Sequence, residues 1–140
     1  MVWKDDPAPY DNRFWWDADT PKALDDVSEV DQDGQPILDE DGNQVVTLGL
    51  KSVYKGQTKA TAGGLLAPSD WYVTRQAETG DAVPQSVLDY RAAVRTASGT
   101  IEAAIDGAAD HAAFVALFDT PTDADGNATG NAPINDWPEE

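Results

Sequence analysis

Three aspartate pairs, Asp31/Asp33, Asp39/Asp41 and Asp123/Asp125, are the residues of this 140-residue chain best suited to metal chemistry, because hard carboxylate oxygens suit Ca²⁺ or Mg²⁺. Their spacing argues against it. An EF-hand loop needs oxygen ligands at its first, third and fifth positions, glycine at the sixth and glutamate at the twelfth, whereas here a glycine directly follows the second Asp of each pair. Tight turns explain that placement, so no resident metal is expected. His111 is the only histidine and sits beside Asp110 at a helix start, an exposed position by this reading. Without a Gly-x-Ser-x-Gly turn nothing completes a hydrolytic triad around it. The chain has no cysteine, which removes disulfides, thiolate zinc sites and cysteine nucleophiles together. No phosphate-binding Gly-Lys-Ser/Thr and no dinucleotide fingerprint is present, and Gly63-Gly64 reads as a helix terminator. Carboxylate pairs for glycoside hydrolysis are defined by their separation in space, which composition does not give. The expectation is a protein with no catalytic residues and no cofactor.

Aromatic residues point elsewhere. Trp3, Tyr10, Phe14, Trp15 and Trp16 alternate with Asp5, Asp6, Asp11, Asp17 and Asp19 in an irregular arm. Each ring buries about 150 to 250 Å² when docked, so a Phe-Trp-Trp run is costly to leave in water. Two destinations compete: the domain's own core, or a partner in which Trp3, Phe14, Trp15, Trp16 and Trp137 act as anchors.

The elements that must position these rings follow from the pattern of the chain. Two short apolar runs, near 36–39 and 44–47, flank Asp41-Gly42-Asn43 and predict a β-hairpin. From Thr47 the period becomes helical: Leu50, Val53, Tyr54, Thr58, Ala62 and Leu65 share one face, and Lys51, Lys55 and Lys59 another, predicting a helix that ends near Gly63-Gly64. The lysine stripe reads as a solvated face. Pro68 stops that helix and Ser69 or Asp70 caps the next. A second helix starts after Pro84 and carries Val87, Tyr90, Val94 and Ala97; Ser98-Gly99-Thr100 interrupts it before Ile101, Ala104, Ile105 and Ala108 resume the stripe. Asp110 caps a last helix with Phe114, Leu117 and Phe118. The fold class is therefore α+β, mainly α: an extended aromatic arm and hairpin over 1–47, a small antiparallel helical bundle over 48–120, and a loop-like acidic tail over 121–140.

Charge narrows the partners. The formal net charge is −17, distributed as 13 acids and 3 bases in residues 1–47, 4 and 6 in 48–95, and 9 and none in 96–140. Acidic flanks repel phosphates and anionic lipid, so neither nucleic acid nor membrane is an expected partner. The N-terminus carries no apolar leader-like stretch and no apolar run approaches the roughly 18 residues of a membrane span, so a start in a cytoplasm is expected.

Leu65-Leu66, Asp70-Trp71, Arg75, Glu78-x-Gly80, Pro84 and Tyr90-Arg91-x-x-Val94-Arg95 follow one another in order, and Ile134-x-x-Trp137-Pro138 closes the chain. This succession resembles the tail-assembly and tail-fibre-assembly proteins of tailed bacteriophages over roughly residues 48–98 and the last eight. The resemblance implies a non-enzymatic virion protein that binds tail or tail-fibre polypeptides within a multi-subunit assembly. A transient assembly chaperone absent from the mature particle is the alternative it allows, with a tail-borne metal-dependent or glycan-acting enzyme further behind. Physical reasoning gives the motif internal work: Asp70 caps, Trp71 fills a gap between helices, Tyr90 packs, and Arg91 and Arg95, one turn apart, pair with acids. The acidic aromatic arm suits a resident component.

Overall fold

Leu50, Thr58 and Ala62 on one helix and Val94, Ile101 and Ile105 on another are spaced by four, seven or eight residues, and both sets are buried where the two helices pack together. The computed structural model describes residues 11–139; Trp3 and Tyr10, and with them the first part of the aromatic arm, lie outside the described residues. The fold is α+β and mainly α. Its frame is α1 (Leu50–Leu66) packed on α3 (Gln85–Gly107). Lys51 and Lys55 near the start of α1 meet Asp106 near the end of α3, while Leu66 at the other end meets Arg91, so the two helices run antiparallel. Between them come a 3₁₀ turn (Ala67–Ser69) and α2 (Asp70–Thr79); after them come α4 (His111–Ala116) and a second 3₁₀ turn (Pro133–Asn135) that packs on α3.

The predicted breaks are not breaks. α1 continues through Gly63-Gly64 to Leu66, and α3 runs through Ser98-Gly99-Thr100 as one helix. A glycine inside a helix costs about 1 kcal/mol against alanine. Burial of Val94, Ile101 and Ile105 along one continuous stripe outweighs it. Asp110 does cap α4, its side chain accepting the Ala113 N–H at 2.8 Å.

Two small antiparallel sheets precede the helices. β1 (Trp15–Asp17) pairs with β2 (Thr20–Pro21), and β3 (Val27–Ser28) with β4 (Val46–Thr47). The hairpin expected at 36–39 and 44–47 is present around a Leu38–Gln44 bridge, but a third segment at 27–30 joins it. Glu29 N–H donates to Val45 O, Val45 N–H to Ile37 O, and Ile37 N–H to Glu29 O, closing a ring of three strands. This lobe has no buried side chain between Val27 and Leu48. It is tied to the helices at Gly49, where the Leu50 and Lys51 N–H groups donate to Ala23 O and Leu24 O. These bonds satisfy amides that the first turn of α1 leaves without intrahelical partners.

Candidate interaction site

The FWW triplet is divided by its local structure. Asp11 accepts the Phe14 and Trp15 N–H groups on its carbonyl and the Arg13 guanidinium on its carboxylate, which turns the chain inward. The guanidinium beside Asp11 holds that carboxyl below its ordinary value. Phe14 enters the core, 1% exposed, against Tyr54, Phe114 and Phe118 at ring separations of 4.7 to 6.3 Å. The expectation that Phe14 anchors a partner is corrected: its ring is spent on the chain's own core. Trp15 is half-buried and meets His111 edge-on at 4.4 Å. His111 is correspondingly not an exposed cap neighbour, since its Nε2 lies 2.8 Å from the Phe14 carbonyl oxygen.

Trp16 has the opposite fate. It points away from the core, 59% exposed, with the Lys22 ammonium 4.7 Å from its ring centroid. Trp16, Val27 and Leu48 line one hollow of about 270 Å³ together with Lys22 and Glu29. Large apolar side chains left in water side by side, with charges around them, mark interaction surfaces. Sequence reasoning singled out Trp16 but not Lys22, Val27 or Leu48, because their meeting depends on the pairing of β3 with β4.

The residues of the ordered motif gather mostly at the corner where α1, α2 and α3 meet. Arg91, its side chain 13% exposed, places Nη1 within 2.8 to 2.9 Å of Leu66 O, Ser69 Oγ and Asp70 Oδ1. One guanidinium thus ties the end of α1 to the start of α2. Asp70 is therefore an ion-pair partner inside the first turn of α2 rather than its cap. Gly80 ends α2 at φ +80°, a conformation that glycine adopts without strain. Trp71 fills no gap between helices. It is 52% exposed, stacked on Tyr72 at 3.8 Å, with the Arg75 guanidinium 5.1 Å above its ring. Tyr90 is half-buried and shares a cavity of about 300 Å³ with Tyr72 and Pro68. Leu65 and Leu66 are half-buried at the end of α1, Pro84 immediately precedes α3, and Glu78 and Arg95 face solvent.

Trp137 and Pro138 stand apart from that corner. Ile134 inserts into the core and its N–H donates to Leu117 O, just past α4, at 3.1 Å, while the 3₁₀ turn that carries it packs on α3. Trp137 is half-buried and forms part of the wall of two cavities, of about 580 and 270 Å³. The larger is a groove along α3, lined on that helix by the small residues Ala93, Thr96, Ala97, Thr100 and Ala104 and by Ile101. The spacing of those small residues was visible in the sequence, but nothing there said which face the C-terminal segment would leave open.

The aspartate pairs form three copies of one turn. Asp31, Asp39 and Asp123 each accept two backbone N–H groups on Oδ1, at 2.9 and 3.0 Å, from the residues two and four further on. Gly34, Gly42 and Gly126 adopt φ of +80°, +86° and +85° to close them. The Asn127 N–H holds the Asp123 carboxyl below its ordinary value. Among the described residues no three metal-ligating side chains converge. The lysine stripe of α1 is a solvent-accessible face that also reaches across to α3: Lys55 pairs with Asp106 at 2.8 Å, Lys51 donates to Asp106 O at 3.0 Å, and Lys59, 67% exposed, pairs with Glu102. No helix among the described residues is long and apolar enough to cross a membrane.

The fold and this surface define the chain as a small α+β protein that presents an apolar patch on a β-lobe and an apolar groove on a helix. It matches none of the family models, curated proteins or solved structures with which it was compared.

Proposed function

We propose that this chain is a tail protein of a tailed bacteriophage, held in the particle as a structural component that binds tail or tail-fibre polypeptides. Trp16 carries the reading: of the two tryptophans following Phe14, one braces His111 and the other is displayed beside Val27 and Leu48. Interface hot spots favour Trp, Tyr and Arg, and a displayed Trp in a hollow lined by apolar and charged side chains has that composition. The order of the motif from Leu65 to Arg95, and its closing Trp137-Pro138, supports kinship with tail-assembly proteins more than it supports a contact surface. Arg91 shows why: its bonds are internal.

Mass spectrometry of purified particles, combined with cross-linking, tests the proposal. The expected result is this chain at fixed stoichiometry, with cross-links from Lys22 to a tail or fibre polypeptide. Finding the chain only in lysate, where fibre stays soluble because the chain is co-expressed, would replace the resident role with a chaperone's. Turnover of a glycan by the purified chain would overturn both.

A further inference from the structure

We infer that the face of α2 bearing Trp71, Tyr72 and Arg75 takes a short extended segment of a partner polypeptide, one carboxylate of which meets Arg75 while a neighbouring apolar side chain enters the cavity beside Tyr72. The inference goes beyond the Trp16 surface and stands on different residues. α2 buries none of its residues and packs chiefly on the 3₁₀ turn before it, so its aromatic side is unpartnered. Trp71 and Tyr72 stack at 3.8 Å, and the Arg75 guanidinium lies 5.1 and 5.4 Å from their ring centroids. A guanidinium whose face rests on rings keeps its edge for hydrogen bonding, and a planar carboxylate meets that edge with two parallel bonds. Nε of Arg75 is covered and has no acceptor among the described residues, which leaves Nη1 and Nη2 for that bond.

Charge and shape select the occupant. Arg13, Lys55, Lys59 and Arg91 each hold a carboxylate of the chain, whereas Arg75 holds none among the described residues. Of the two acids on α2, Asp70 is engaged by Arg91 at 2.9 Å, and Glu78, three residues beyond Arg75, forms no ion pair with it. A carboxylate from outside therefore completes a cation that the chain has placed on two rings and left without an acid. The cavity of about 300 Å³ has Tyr72 in its wall, the same ring that carries Arg75, and its other apolar walls are Pro68, Val87 and Tyr90. Two or three extended residues, about 7 to 10 Å, carry a segment from the guanidinium across Tyr72 into that cavity. Extended chain suits aromatic walls of this kind, because its backbone needs no partner strand to hold its shape. A nucleic-acid strand is a poorer occupant: its affinity rests on several cations along the backbone, and here one guanidinium shares its two helices with Asp70, Glu78 and Asp89.

The test uses the full chain, ¹⁵N-labelled, and two synthetic peptides of about eight residues built from Ala, Pro and Leu, one carrying a single Asp and the other Asn in its place. The Asp peptide is expected to shift the amides of residues 68–76 and 86–90 together with the Arg75 Nε–H resonance, and to weaken as salt rises. The Asn peptide, which offers no charge-assisted bond, is expected to bind about fivefold more weakly or worse. Arg75→Gln should bring the Asp peptide down to the affinity of the Asn peptide while the melting temperature changes little. Ser86→Trp, at an exposed position in the cavity wall, should weaken both peptides by about fivefold while leaving Arg75 in place. Equal binding of the two peptides, shifts confined to other residues, or no shift at about 1 mM peptide would overturn the inference. So would tighter binding of a single-stranded DNA oligonucleotide at the same amides, which would give the surface to phosphates, or a shift of those amides on raising the protein concentration alone, which would give it to a second copy. The tail role fails separately. A chain that binds the Asp peptide and never enters particles sinks that role alone, whereas a chain that enters particles and ignores the Asp peptide sinks this inference alone.

Discussion

His111 Nε2 and the Phe14 carbonyl oxygen are 2.8 Å apart across 97 residues of sequence. A carbonyl only accepts, so Nε2 carries the proton and donates. The same imidazole lies edge-on against Trp15 at 4.4 Å. The single histidine, which the sequence reads as an exposed neighbour of Asp110, thus holds the aromatic segment onto α4. His111→Ala removes both contacts and leaves the Phe14 carbonyl with the Lys22 N–H as its one remaining donor. The expected loss is about 1 to 2 kcal/mol in urea unfolding, with a red shift of tryptophan emission as Trp15 becomes wetter. An unchanged unfolding midpoint would show that the bond contributes nothing.

Gly49→Ala should be severe for a reason unrelated to φ, which is −77° there. A Cβ built at Gly49 would lie 2.3 Å from Leu24 O and 2.5 Å from Asp25 C, both backbone atoms that no rotamer change can clear. The N–H of the same residue donates to Asp26 Oδ1 at 2.8 Å, and the next two amides bond Ala23 and Leu24, so the crossing cannot open without losing the start of α1. A loss of about 3 kcal/mol is expected in chemical denaturation. Gly63→Ala and Gly99→Ala, where a new methyl meets nothing within 4 Å, should instead stabilise by up to about 1 kcal/mol each.

How far the sequence revealed this arrangement depends on the range of the interactions involved. Apolar stripes such as Val94, Ile101 and Ile105 set the main helices, and the turn around Gly42 was equally legible because aspartate, glycine and asparagine act over five residues. The third strand at 27–30 was not, because it reaches Val45 and Ile37 only through backbone bonds that side-chain pattern does not encode. Helix ends were misplaced at Gly63-Gly64 and Gly99, where tertiary burial outweighs local propensity. The same limit applied to the candidate surfaces. The FWW triplet announced large rings, but only the fold assigned Phe14 to the interior, Trp15 to His111 and Trp16 to solvent.

Acid should destabilise the protein through a defined set of carboxyls. The Gly49 N–H lowers the pKa of Asp26, the Lys55 ammonium that of Asp106, the Thr20 hydroxyl that of Asp17, and the Asn127 N–H that of Asp123. A carboxyl whose folded pKa is depressed contributes stability that is present above its unfolded pKa, about 3.9, and that is lost as pH falls through the folded value. Urea midpoints should therefore decline from about pH 5 downward. Asp26→Asn should lower the midpoint at pH 7 and make the decline shallower. A variant whose pH profile runs parallel to that of the parent chain would remove Asp26 from this set.

The three residues of the FWW triplet separate folding from attachment. Phe14→Ala should cost about 3 to 5 kcal/mol of stability, since it empties a position enclosed by Tyr54, Phe114 and Phe118. Trp16→Ala should leave the melting temperature nearly unchanged, because its ring is 59% exposed and its main intrachain neighbour is the Lys22 ammonium, worth about 0.5 to 1 kcal/mol at such a site. If the chain binds a tail polypeptide as proposed, the same substitution should weaken that attachment by more than about 1 kcal/mol, as truncating a hot-spot ring does. Trp15→Ala falls between, losing stability through His111 and attachment only if the arm moves. Pull-down from infected lysate, with each variant first checked by thermal melting, reads both quantities. If Trp16→Ala melts early and still incorporates normally, the displayed ring belongs to folding, and the β-lobe patch is not where the partner sits.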